Sequence, residues 1–141
     1  MKHSNRIVIL SCGSKKIDHQ SPALALYCGS FFKAQRRWAL SVVSYHQIYI
    51  LSAKYGFLKA TDKIEPYELK MGDKGSIDCK RLRHQAVELK LLEPTLDIVS
   101  LVGENYKKVL TQAVPNIKYP LDGMPIGIRM MNLKKNERKW P

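Results

Sequence analysis

Two short segments carry the residue types that anion and thiol chemistry need. Ser11, Cys12, Gly13, Ser14, Lys15 and Lys16 put a thiol, two hydroxyls, a glycine and two ammonium groups in consecutive positions. Ser52, Ala53, Lys54, Tyr55 and Gly56 repeat the formula with a hydroxyl, an ammonium, a phenol and a glycine. Small residues let backbone N–H groups face a ligand, hydroxyls donate hydrogen bonds and lysines supply charge, a set that suits phosphate. The first segment lacks the second glycine and the GK[ST] ending of a Walker loop, and no GxGxxG follows it. That disfavours nucleoside triphosphate hydrolysis and dinucleotide binding.

Further candidates surround these two segments. Cys12, beside Lys15 and Lys16, reads either as a nucleophile or as a small buried thiol. Lys54 reads as a phosphate ligand, or as an amine attacking a sugar C1′. Glu65, in Glu65-Pro66-Tyr67-Glu68, can stabilise an oxocarbenium-like centre or accept hydrogen bonds from a base edge; the plain alternative is a carboxylate neutralising local lysines. Tyr27, Tyr55 and Tyr67 can stack on bases or serve the core. Ser30 and Lys33 open a helix whose amino end can approach an anion, and Gly123 and Gly127 bracket Pro125 ahead of another. The four histidines, His3, His19, His46 and His84, show no ligand spacing, and the three cysteines form no CxxC pair. No metal and no cofactor are expected, and Cys12, Cys28 and Cys79 read as reduced thiols of a cytoplasmic protein.

The elements that must hold these residues follow from periodicity. Arg6 to Ser11 and Gln47 to Ser52 are continuous apolar runs of strand length, as in strands covered on both faces. Between them Ser30 to Tyr45 carries Phe32, Ala39, Leu40 and Val43 at helical spacing, with Ser30 as a possible cap. Strand, helix, strand predicts a parallel crossover, which brings both segments to the carboxyl edge of one sheet. Ala53 to Met71 reads as a long loop, Ile77 to Leu92 as a helix capped by Ser76, and Asp97 to Val102 as a third strand. Asn105 to Ala113 reads as a short helix, Asn116 to Tyr119 as a fourth strand, and the chain from Pro125 as a helix with Ile126, Met130 and Leu133 on one face and Arg129, Lys134 and Lys135 elsewhere. The expectation is one compact α/β domain over residues 1–141, with a mostly parallel sheet of four or five strands flanked by helices.

With 24 basic and 12 acidic residues in 141, the chain carries a formal charge of +12. Residues 104–141 hold eight basic against three acidic side chains, so the carboxyl-terminal part is basic. Such an excess points to a polyanionic partner, with nucleic acid ahead of an anionic membrane surface. No apolar run reaches membrane-span length, and Met1 to Asn5 with the run after it does not make a signal peptide. No membrane association is expected, and the sequence leaves the oligomeric state open.

The ordered blocks ILSCGSKK, SPALALYCGSFFKAQRRWA, ILSAKYGFL with IEPYEL, and PLDGMPIGIRMMNL together resemble a small YaaA-related family of bacteria and phages. A distantly similar block arrangement occurs in archaeosine synthase, which acts on a deazaguanine base in tRNA. The resemblance implies an α/β domain with a basic cleft that recognises or acts on a base in nucleic acid, DNA ahead of RNA. No helix-hairpin-helix segment is evident, and Lys15, Lys16 and Ile17 stand where archaeosine synthase has a KPY-type sequence, so lysine transfer is not implied. A nucleoside or nucleotide enzyme of deoxyribosyltransferase-like type, or a basic module without catalysis, are the alternative readings.

Overall fold

The computed structural model describes residues 5–141; His3 and most of the Met1 to Asn5 segment lie outside them. Four strands form the main sheet: β1 (Arg6–Ser11), β3 (Ile48–Ser52), β4 (Gly56–Lys59) and β6 (Asp97–Ser100), in the order β4-β3-β1-β6. β1 runs parallel to both β3 and β6, while β4 returns antiparallel along β3. The sheet is therefore mixed and mostly parallel, and helices flank it. A second, two-stranded ribbon pairs β2 (Ser21–Pro22), which leads into the short helix α1 (Ala23–Leu26), with β5 (Lys63–Ile64). No helix among the described residues is long and apolar enough to cross a membrane.

The unbroken apolar character of β1 follows from two cores, one on each face of the sheet. Val8 and Leu10 point into a core shared with Phe32, Trp38 and Ala39 of α2 (Ser30–Val42) and Leu133 of α5 (Ile126–Lys135). Ile7 and Ile9 point the other way, onto Leu82 and Ala86 of α3 (Cys79–Glu88) and Leu110 and Ala113 of α4 (Glu104–Ala113). Side chains alternate across a strand, so only a strand sandwiched between helix layers needs apolar residues at every position. Removing one such side chain, as in Leu10→Ala, costs about 2–5 kcal/mol.

Several boundaries differ from those predicted. The stretch after β3 is not one long loop, because Gly56 turns the chain back and Phe57 and Leu58 become buried strand residues. The cap of α3 is Asp78, whose carboxylate accepts the Arg81 N–H at 2.8 Å, rather than Ser76. α2 begins at Ser30 with Gly29 as its cap, and the Ser30 hydroxyl makes no cap bond. The expected fourth strand reduces to a single parallel bridge between Lys118 and Val99. On α5, Arg129 is buried and its Nε donates to the Met124 carbonyl at 2.6 Å, whereas Ile126 is exposed. The guanidinium, bonded through Nε, takes the inward position that the periodicity had given to Ile126.

Candidate functional site

Two glutamines, Gln35 buried and Gln85 half-buried, fix the loops at the carboxyl edge. Gln35, inside α2, accepts the Ser11 N–H at 2.9 Å and donates to the Ser11 carbonyl at 3.3 Å, which pins the end of β1 just before Cys12. Gln85, on α3, accepts the Phe57 N–H and donates to the Tyr55 carbonyl, both at 2.9 Å, which pins the turn between β3 and β4. One glutamine comes from each helix layer, and each serves one loop. Gly56 completes the second turn with φ +76, and a Cβ there would lie 2.1 Å from the Gln85 side-chain oxygen. Its backbone is packed against α3, so close packing accounts for this glycine, which the sequence had placed among ligand contacts.

Ser52 is fully buried and works inside the protein. Its Oγ accepts the N–H groups of Lys54 and Tyr55, both at 3.1 Å, and so turns its own proton toward the Tyr67 hydroxyl 2.6 Å away. Tyr67 in turn shares a 2.6 Å hydrogen bond with Tyr27. Tyr27 is fully buried and Tyr67 nearly so. The stacking faces expected of them are therefore covered by protein, and Tyr55, half-buried and edge-on to Tyr67, is the more open of the three.

Two lysines converge on this aromatic group. Lys16 Nζ lies 4.4 Å from the centre of the Tyr67 ring, and Lys54 Nζ lies 5.9 Å from the same centre. Among the described residues neither forms an ion pair with a carboxylate. The ring faces attract both cations without neutralising them, so positive charge is held ready at the strand ends.

Cys12 lies beside this group. Its Sγ is 3.1 Å from the hydroxyl of Tyr106 on α4, a residue that no motif had singled out. Burial first, and then the neighbouring Cys12, raise the phenols of Tyr67 and Tyr106 well above their ordinary value. Both remain protonated near neutral pH, and the Tyr106 hydroxyl can donate to the sulfur. The signal for Tyr106 was positional: it lies in the first turn of the helix after the third parallel strand, at the edge where the other two loops emerge.

The remaining candidates scatter. Ser14 and Lys15 are exposed on the first loop, Ser30 and Lys33 on the start of α2, and Lys134 and Lys135 at the end of α5. Glu65 is exposed and does not line the cavity of about 230 Å3 beside Cys12, whereas Glu68 does, along with Gly13, Ser14, Lys16 and Lys70. A basic run on α3, with Lys80, Arg81 and Arg83 exposed, adds a second cationic surface that reading the carboxyl-terminal charges alone had passed over. Among the described residues no three His, Cys, Asp or Glu side chains gather as a metal site would require.

The UPF0246 protein lpl1317 of Legionella pneumophila (strain Lens) is 39% identical over 62 residues, covering 41% of this chain and 24% of its own length. The UPF0246 protein lpp1320 of the Paris strain is 38% identical over 60 residues, 40% of this chain and 24% of that protein. The similarity thus spans about a quarter of these YaaA-family relatives. A family model reaches much further along the chain than these pairwise matches, from β1 through the last residue of α5, and by that match over residues 7–135 the chain belongs to the family of unknown function DUF6884.

Proposed function

We propose that the protein binds nucleic acid, DNA ahead of RNA, and recognises or acts on a base or its glycosidic bond at the carboxyl edge of the sheet. The observation that carries this reading is the convergence of Lys16 and Lys54, from two different loops, on one tyrosine ring with no carboxylate partner. In a protein of charge +12, cations that form no ion pair with a carboxylate are suited to phosphate. Cys12, with the Tyr106 phenol at its sulfur, is the candidate nucleophile, and Lys54 serves as phosphate ligand or amine. The carboxylate role proposed for Glu65 has a second candidate in Glu68, which faces the cavity beside Cys12.

A nucleoside or nucleotide enzyme is the second reading, favoured by the cavity beside Cys12. The test is release of base or modified product from single-stranded, duplex and mononucleoside substrates, alongside binding. Glu65→Gln, Glu68→Gln and Cys12→Ser that keep binding but lose turnover support chemistry at this edge. Turnover unchanged in all three overturns the catalytic assignment, and absence of binding to DNA and RNA at low salt overturns the nucleic-acid reading.

A further inference from the structure

The connections from neighbouring strands diverge at one place on the carboxyl edge. β1 leads through its loop to α2 on one face, and its neighbour β6 leads to α4 on the other. Where connections part in this way, an open α/β sheet leaves a crevice between the strand ends. Here that crevice is a cavity of about 290 Å3, lined by Ser11 from the end of β1 and Gly103 from the turn after β6. The sequence had directed attention to the loops of β1 and β3, one strand to the side.

This cavity and the one beside Cys12 differ in chemistry and share a wall. Phe31, Tyr106 and Ile126 give the first its apolar and aromatic surface, and Glu104, Asn105 and Arg129 give it polar edges. The second, of about 230 Å3, has Lys16 and Lys70 against one acid, Glu68, with Ser14 and Gly13 beside them. Asn105 and Tyr106 line both. Each alone falls short of the roughly 300–1,000 Å3 usual for ligand sites, and the two together reach that range.

We infer that the two cavities form one bipartite site for a nucleotide unit, with a heteroaromatic base in the Phe31–Ile126 half and its phosphate in the Lys16–Lys70 half. Flat apolar side chains suit the faces of a base, while an amide and a carboxylate offer the donor and acceptor pair that a base edge requires. Tyr106, on the shared wall, stands between base and phosphate with its hydroxyl on Cys12. This inference rests on the nucleic-acid reading for the class of ligand. A free nucleoside monophosphate and a nucleotide within a single strand share this chemistry.

Calorimetry on the full chain, using the four common deoxynucleoside 5′-monophosphates, their nucleosides, deoxyribose 5-phosphate and a short single-stranded oligonucleotide, tests the site. At least one monophosphate or the oligonucleotide binds at least about tenfold tighter than deoxyribose 5-phosphate and than the matching nucleoside, the equivalent of about one charge-assisted hydrogen bond. Lys16→Ala removes the advantage over the nucleoside, and Asn105→Ala removes the advantage over deoxyribose 5-phosphate, with both variants folded by circular dichroism. Binding of the free monophosphate assigns a soluble ligand, and binding of the oligonucleotide alone assigns a strand; both support the bipartite site. Equal affinity for deoxyribose 5-phosphate and every base-bearing ligand overturns it, as does base-dependent binding that neither variant alters. Duplex binding that survives such a failure leaves the nucleic-acid reading standing, whereas monophosphate binding without any DNA or RNA binding overturns that reading and keeps the site.

Discussion

The two ends of the sheet hold their charged groups in different mixtures of ion pairs and ring contacts. At the amino edge charged groups pair with one another at the surface: Lys118 meets Asp97 at 2.9 Å and Arg37 meets Glu137 at 2.8 Å. Trp140 stacks on Trp38 there, lies under Arg6 at 4.7 Å and donates to Asp97 at 2.7 Å. At the carboxyl edge Lys107 of α4 pairs with Asp122, but Lys16 and Lys54 approach ring faces and form no ion pair with a carboxylate among the described residues. Charges satisfied internally hold a chain segment in place, and charges left unneutralised are available to a ligand. Lys118, Glu137 and Trp140 thus anchor the carboxyl-terminal segment, whose Lys134, Lys135, Arg138 and Lys139 form no ion pair among the described residues, while the shorter lysine loops supply the candidate site.

The largest test of this contrast uses the buried phenols of the carboxyl edge. Burial first, with Cys12 close by, pushes Tyr27, Tyr67 and Tyr106 well above the ordinary 10.0. A raised folded value means that these groups favour the fold below 10.0 and that this contribution is lost as pH rises beyond it. At about pH 11.5 each phenol that stays protonated removes about 2 kcal/mol of stability. Tyrosinate absorbance should therefore show a late group of tyrosines ionising together with unfolding. Smooth titration of all seven tyrosines in a folded protein would break the comparison.

Gly56→Ala comes next. The positive φ and the 2.1 Å approach to Gln85 force the turn to shift, at about 2–4 kcal/mol by denaturant unfolding. Ligand binding should fall with it, because the same turn carries Lys54.

The amino edge should respond weakly. Partial burial opposes the charge on Asp97, yet hydrogen bonds from Lys118 and Trp140 hold its carboxyl below the ordinary 3.8. Its contribution is present above 3.8 and is lost as pH falls through the lower folded value. Asp97→Asn should cost about 0.5–1 kcal/mol and loosen Trp140, seen as a fluorescence shift, with no change in ligand binding.

How legible each part was depended on whether its cause was local. The continuous apolar run of β1 announced two covered faces, and the strand-helix-strand order announced the shared edge of the two loops. β4 was hidden because Gly56-Phe57-Leu58-Lys59 follows a turn so closely that it reads as loop. The roles of Gln35, Gln85 and Tyr106 depend on residues 24, 30 and 94 positions away, a separation that no spacing rule reports. Arg129 shows the same limit: its Nε bonds a carbonyl while the side chain lines a cavity, which places a guanidinium on a face that charge patterning assigns to solvent.

The most direct measurement is the salt dependence of DNA affinity for Lys16→Ala/Lys54→Ala beside that for Lys134→Ala/Lys135→Ala/Arg138→Ala/Lys139→Ala. With roughly 0.9 of slope per phosphate contact on a duplex, the carboxyl-edge pair should flatten the log–log slope by about 1.8, and the tail set should change it less per residue removed. An unchanged slope in the pair, with the whole salt dependence lost in the tail set, would contradict the assignment of the ligand site to the carboxyl edge.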